Sequence, residues 1–370
     1  MARVLLVTPN LPPSPEPESL LGWRLANTLA ESQHEVKILT GPHPYQDFPQ
    51  FHNRVEVLQI FKRWSLLEMP RLFPLWLQWR PEVLHLLPPP RPSSLWYSLP
   101  MTPGAFPMLP RPKVIASFWR LPERGWVFQS AALDAVTVAN ENQRHRLTSQ
   151  PGRQPWVETL RLFDGRRPFA FTERLLPSDF NPYVFVPGPL TEHEDPELPL
   201  RLAIQVLPTR PHWHFVIGGQ MDDLGFKKAR EWWNQLGAHG IVDRLFFTGP
   251  VEVMQITDLI KEADVLLTAS LKLESFQTSL ALQAGHTYAR PIVMNTAQAT
   301  YDSYTWDHEH SACVCSRPFS EMTAQLELVM DNQVMRQRLH ENLLRTSHEM
   351  TDHAVNVLSR LYLATGPASI

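Results

Sequence analysis

The sequence predicts an α/β protein built as two doubly wound, mostly parallel sheets in tandem, and three observations predict it. The chain has 370 residues, more than one compact core usually takes, so two domains of about 150 to 200 residues are expected. Short β-branched or apolar runs alternate with segments of helical spacing in two successive series. Clusters of proline and glycine fall just after those runs, at the strand ends where such sheets place their loops.

The first series opens with "RVLLVT" as a short buried strand, "ESLLGWRLANTLAESQ" with apolar residues at helical spacing, and "HEVKILTG" as a second strand. After "RVEVLQIF" comes the amphipathic "SLLEMPRLFPLWLQWR", then "PEVLHLL", "KVIASFW" and "LDAVTVAN" as further strands. A second series runs from "PYVFVPG" through the helix "LPLRLAIQVLPT", the strand "HFVIGG", the helix "FKKAREWWNQLG", the strand "RLFFTGP", the helix "MQITDLIKEA" and the strand "DVLLTAS". It ends in a polar turn with Glu274, an apolar helix and a short strand; from Pro318 onward only helices are expected. With "FAFTERLLPSDFNP" as linker, the domains expected are 1–180, 181–350 and a terminal helix at 351–370 packing back on the first domain.

Composition narrows the function classes. A hydrophobic fraction of 43% with 19% charged residues suits a globular protein, and a formal net charge of -3 gives no long-range attraction for nucleic acid. The two cysteines form a C-V-C at 313 to 315, where a mutual bond would need an awkward geometry, so no disulfide framework is expected and a reducing cytoplasm fits. The apolar run in "MARVLLVTPN" is too short for a signal peptide, and no run approaches the ~18 residues that span a bilayer. The 36 prolines, where average usage of about 5% would give roughly half as many, read as rigid loops such as "PNLPPSPEP" and "LLPPPRP".

The ordered motifs "VPGPL", "FVIGGQ", "DRLFFTGPV", "LIKEADVLLTAS" and "ESFQTSLALQAGHTYARPIV" resemble the nucleotide-sugar domain of the family-four retaining glycosyltransferases (glycosyl transferases group 1). Those enzymes have the GT-B architecture, two Rossmann-like domains facing across a cleft. The first half, through "RVLLVTPNLPPSPE", "RPEVLHLL" and "LDAVTVANENQRHRL", looks like the family's acceptor domain, so the resemblance covers nearly the whole chain. It implies that Glu274 stands at the first glutamate of an E-x7-E motif beside the donor sugar. It implies also that the backbone of Ser275, Phe276 and Gln277, with Thr278, meets the diphosphate at a helix N-terminus. Thr248, Gly249 and Pro250 match the loop beside the nucleobase, and Gly218 and Gly219 permit close approach of backbone to ligand.

The departures matter as much. The second glutamate is Leu282, with Gln283 one residue on to offer a neutral amide to the ribose. Where the family has an Arg and a Lys on the diphosphate stand Pro189 and Glu194, leaving Lys272, or Arg120 from across the cleft, to restore a cation. The first loop's glycine pair is replaced by "PPSPEPES", and Phe118 stands where a histidine is expected; His85 fits a more structural position.

Plainer readings stand beside these. Glu274 also serves as an ordinary helix-start carboxylate, Ser275 and Thr278 as caps, and "IGG" as a strand-end turn. "WDHEH" at 306 to 310 is read as a solvated loop in preference to a metal site, and His212 and His214 as a strand edge. "IFKRWSLLEMPRLFPLWLQWRP" mixes aromatic and basic residues in a way that suits an anionic membrane surface, but a core-facing helix broken by Pro70 and Pro74 is preferred.

The function expected is metal-independent, retaining transfer of a sugar from a nucleotide-diphosphate sugar to a hydroxyl acceptor: a glycan, a lipid-linked sugar or a small molecule. No cofactor is needed beyond the donor substrate. The rival is a catalytically degenerate GT-B subunit that binds or scaffolds a protein partner. The setting expected is the cytoplasm, with peripheral contact at the inner membrane face left open.

Overall fold

Runs of Val, Leu and Ile without polar alternation make strands that are covered on both faces. In the computed structural model such runs, joined by more polar strands toward the edges, form one sheet in the first half of the chain: β1 Arg3–Val7, β2 Glu35–Leu39, β3 Val55–Leu58, β4 Val83–Leu86, β5 Lys113–Phe118, β6 Ala135–Val138 and β7 Trp156–Thr159. Their order is β3-β2-β1-β4-β5-β6-β7 and every neighbouring pair is parallel, with Val4 opposite Val36 on one side and Val83 on the other. The structure describes residues 1–12, 14, 17–42, 49–89, 92–101, 110–119, 121, 132–149, 155–160, 175–177, 179–188, 197–219, 222–251, 253–268, 276–296, 306–316 and 319–363. The chain divides into two units, one of Met1–Leu162, Arg166–Phe169 and Thr351–Ile370, the other of Phe163–Gly165 and Ala170–Met350.

Helices α1 Pro17–Glu31, α2 Ser94–Ser98 and α3 Glu141–Thr148 belong to the first unit. One face of its sheet, with Val4, Leu6, Val83 and Ile115, packs with Leu25 and Leu29 of α1 and with Val357, Leu358 and Leu361 near the chain's end. The opposite face, with Leu5, Val7, Leu84 and Leu86, packs with Leu72, Trp76, Trp96 and Leu99. Each fully buried aliphatic or aromatic side chain of this kind contributes about 1.5–3 kcal/mol.

The stretch read as one core-facing helix takes another form. A 3-10 helix spans Leu66–Leu72 and a π-helical turn spans Leu75–Trp79. Pro70 and Pro74 lack the N–H that an α-helical ladder needs, and they split the segment. Leu72 and Trp76 turn into the core, whereas Leu66, Leu67, Phe73 and Leu77 are exposed. The core-facing reading therefore holds for Phe61, Leu72 and Trp76, with Met69, Leu75 and Trp79 packed against the same core, and fails for Leu66, Leu67, Phe73 and Leu77.

His85 does take a structural place. On β4 it is fully buried; its Nδ1 meets the Tyr362 hydroxyl and its Nε2 the Ser117 Oγ at 2.6 Å, and Ser117 in turn meets Thr137 Oγ1 at 2.5 Å. Burial pushes the imidazole down to about 3, so it is neutral.

The second unit repeats the plan. Strands β8 Tyr183–Pro187, β9 His214–Gly218, β10 Leu245–Phe247, β11 Val265–Thr268, β12 Ile292–Asn295 and β13 Cys313–Cys315 lie in the order β10-β9-β8-β11-β12-β13, all parallel. Helices α4 Glu197–Val206, α5 Asp223–Ala238, α6 Val253–Glu262, α7 Phe276–Thr287 and α8 Ser320–Asp331 accompany them, and α9 Gln333–Leu363 is the last described element. Cys313 and Cys315 are free thiols in this unit's core, pushed up to about 12 by burial, which makes them unreactive. No helix among the described residues is long and apolar enough to cross a membrane.

Candidate functional site

An open parallel sheet binds its ligand beyond the carboxyl ends of the strands, where the strand order reverses. In the second sheet that reversal lies between β8 and β11, whose neighbours continue outward in opposite directions. Strands β8, β9 and β10 are each followed within two residues by a glycine with positive φ: Gly188 at 116°, Gly219 at 121° and Gly249 at 67°. L side chains resist that conformation, so the chain turns away from each strand end without presenting a Cβ. A Cβ built on Gly188 or Gly249 meets nothing within 4 Å. Backbone conformation, and not crowding, accounts for these two glycines.

Gly218 is different. A Cβ there would lie 2.8 Å from two ring atoms of Phe185, a side chain with no exposure at all. The residue read as an approach point for ligand is needed by the core beneath it. Gly218→Ala is expected to destabilise the fold by about 1–3 kcal/mol, because a buried ring has nowhere to go. A urea midpoint equal to the wild type would show that the ring has room to move.

Thr248 braces the two loops beside it. Its Oγ1 accepts the Gly219 N–H at 3.1 Å and donates to the Gly249 carbonyl at 2.9 Å. The hydroxyl is thus occupied in holding "GG" against "TGP", and Pro250 beyond it is exposed. Asp222 of the following loop caps α5, its Oδ1 accepting the Gly225 N–H at 2.7 Å.

At the other limb of the reversal, β11 ends in Thr268, 1% exposed, and α7 packs against β8 and β11. Phe276, Gln277 and Thr278 form the first residues of α7. Gln283, further along, is 4% exposed, and its Nε2 has no hydrogen-bond partner among the described residues. The Thr268 Oγ1 is buried and likewise without a partner among them. Thr268 escaped the sequence reading; a threonine closing the apolar run "VLLT" was its one signal. Leu282, where the motif wants a second carboxylate, is also 4% exposed. Glu274, Lys272, Ser275 and Arg120, with Pro189 and Glu194, lie outside the described residues.

Charge is concentrated at the opposite edge of this sheet. Asp264, which burial shifts upward, accepts the Tyr183 N–H at 3.0 Å, and the Tyr183 hydroxyl donates to the Leu259 carbonyl at 2.6 Å. Arg244 donates to the carbonyls of Leu207 and Arg210 at 2.8 and 2.9 Å. Arg210 itself clasps Asp331 and Glu327, which hold its guanidinium above the usual range. Polar networks thus fix the amino edge, and the described strand ends of the carboxyl edge are left neutral and glycine-lined.

The "WDHEH" loop folds back on itself. Trp306 is buried, Asp307 accepts the N–H groups of His310 and Ser311 through its carbonyl, and His308 Nδ1 accepts the Val314 N–H at 3.1 Å. No group of three or more His, Cys, Asp or Glu side chains placed to hold a metal ion occurs among the described residues.

No protein-family model matches the sequence, and no curated protein matches it. Solved structures do match along almost its whole length. A glycosyltransferase from Rickettsia africae superposes with a TM-score of 0.67 at 11% identity over 99% of each chain. Sucrose-phosphate synthase from Thermosynechococcus elongatus gives 0.65 at 12% identity over 98% of each chain. HepE of Anabaena, solved in complex with UDP and glucose, gives 0.63 at 12% identity over 98% of this chain and 99% of its own. At such identities the likeness establishes the fold: two parallel Rossmann-like sheets of 7 and 6 strands with their helices, the GT-B architecture of glycosyltransferases.

Proposed function

We propose that this GT-B chain is a glycosyltransferase that takes a sugar from a nucleotide-diphosphate donor and moves it, with retention and without a metal, to a hydroxyl acceptor. The observation that carries this reading is Gln283: a buried amide, on the helix beside the strand-order reversal, whose Nε2 has no hydrogen-bond partner among the described residues. Leaving such a group unpaired costs about 1–3 kcal/mol, which a ribose hydroxyl would recover. In this reading the N-terminus of α7 receives the diphosphate, Glu274 orients the sugar, and Lys272 or Arg120 offsets the leaving charge. Gly219 and Gly249 let the nucleoside approach the backbone, and Thr248 keeps their two loops in register. The protein is taken to work in the cytoplasm on a glycan, a lipid-linked sugar or a small-molecule acceptor.

A second reading is favoured by Leu282. The side chain at the second position of E-x7-E is packed into the core, so no carboxylate is available there. A donor-binding or scaffold subunit that supports an active partner would keep the fold and lose that group.

Calorimetric titration with UDP, GDP, ADP and their common sugar conjugates, without added metal, tests both. UDP-sugars come first because HepE, of the same fold, is in complex with UDP and glucose. Saturable binding of one conjugate, reduced at least about tenfold in Glu274→Ala, is the expected result, on the scale of one lost charged hydrogen bond. Flat heats across the panel would sink the donor site. Binding without turnover on any acceptor class would assign the protein to the scaffold reading.

A further inference from the structure

We propose that the stretch from Lys62 to Arg80 is a docking surface for an anionic lipid bilayer. In a 3-10 helix residues three apart eclipse one another, so Leu67, Pro70 and Phe73 stand in one row. That row faces outward: Leu67 is 91% exposed and Phe73 39%, with Leu66 at 47% and Leu77 at 52% beside it. Leu72 and Trp76, on the inner side of the same stretch, pin it to the sheet. The result is an apolar ridge on the surface of the unit, anchored from beneath by buried side chains.

Charge selects the partner. Lys62, Arg63, Arg71 and Arg80 are all exposed around the ridge, and Lys62, Arg63 and Arg80 make no ion pair among the described residues. The one carboxylate in the stretch, Glu68, is turned inward with its side chain 15% exposed, bound to Arg71 at 2.9 Å and to the Lys62 N–H. Such an excess of cations is local, since the chain as a whole carries -3. The ridge also offers little hydrogen bonding to a protein partner, because its exposed side chains are apolar and Pro70, with Pro74 just after it, lacks an N–H. Half-buried Trp64 and Trp79 flank it, one stacked on Trp96 and the other donating to Glu35. Apolar residues with a basic rim and amphipathic indoles at the border suit the headgroup zone of a negatively charged leaflet.

The surface lies wholly in the first unit and stands apart from the donor reading. Flotation of the full chain with phosphatidylcholine vesicles, with and without phosphatidylglycerol, and with no nucleotide present, tests it. The wild type should float only with the anionic vesicles and be released by salt. Each of Lys62→Gln and Arg63→Gln should weaken binding about fivefold, and the pair Leu67→Glu with Leu77→Glu at least about tenfold. These side chains are exposed, so an unchanged urea midpoint confirms that the variants fold. Wild-type protein left unbound by both vesicle types overturns the proposal, as does equal flotation of the Leu67/Leu77 variant. Self-association of the wild type that this variant abolishes, without any flotation, would assign the ridge to a second copy of the chain instead.

Discussion

A Gln283→Leu chain is expected to be more stable without ligand than the wild type, by about 1–3 kcal/mol, and to bind its nucleotide sugar more weakly. The reasoning starts from the unpaired Nε2. Folding takes this amide out of water without giving its N–H groups an acceptor among the described residues. Leucine has similar bulk and no polar atom, and its neighbours Ala281, Leu282 and Ala284 are buried and apolar. The substitution removes the desolvation cost and keeps the packing. If the amide is held in readiness for a ligand, the same change removes a hydrogen bond from the complex, so stability and affinity move in opposite directions. Urea unfolding of the free protein and calorimetry with the sugar conjugate measure the two separately. A leucine variant that is less stable and binds equally well would show that Gln283 has a structural partner and no part in recognition.

Much of the fold was legible because most strands are buried on both faces. "YVFVP" and "VLHL" are covered along their whole length, and such short apolar runs between loop signals suit a central strand. The strands that sequence reading passed over are those without that signature. In β7 only Val157 is buried, with Trp156 exposed at the sheet edge, and β13 is the three-residue C-V-C. The segment at 62 to 80 misled for a different reason. Its apolar residues suit a helical stripe, but Pro70 changes the period from 3.6 to 3, and the period decides which side chains face outward. At the site, the strand-end glycines could be read directly, since a positive φ leaves its mark as glycine. The reason for Gly218 could not, because the ring that excludes a Cβ there belongs to Phe185, far off in sequence. Gln283 was singled out by its position beside a motif; its unfilled amide is a property of the packed structure.

Acidification is expected to weaken the first unit through His85. Its folded value, about 3, lies below the 6.5 of an unfolded imidazole, so between those limits the unfolded chain binds a proton that the native chain does not. The contribution is therefore fully present above pH ~6.5 and is lost as pH falls, with a slope of about 1.4 kcal/mol per pH unit, or about 2 kcal/mol between pH 7 and 5. Burial makes the ring resist protonation, and the hydrogen bonds around it suit the neutral form. One assignment suits all three contacts of a neutral ring: Tyr362 donates to Nδ1, Nε2–H donates to Ser117 and Ser117 donates to Thr137. A second ring proton would force the Tyr362 hydroxyl to turn, inside a site that excludes water. His34, close to Tyr362 and also lowered by burial, adds to the same slope. Urea midpoints of wild type and His85→Gln at the two pH values separate its part: the variant starts less stable but should lose about 2 kcal/mol less on acidification. Tyr362→Phe provides the second check, since it should cost about 1–3 kcal/mol at pH 7 by leaving Nδ1 without its donor. Parallel pH profiles for wild type and His85→Gln would mean that the ring titrates normally in the folded protein and that the buried chain does not hold it neutral.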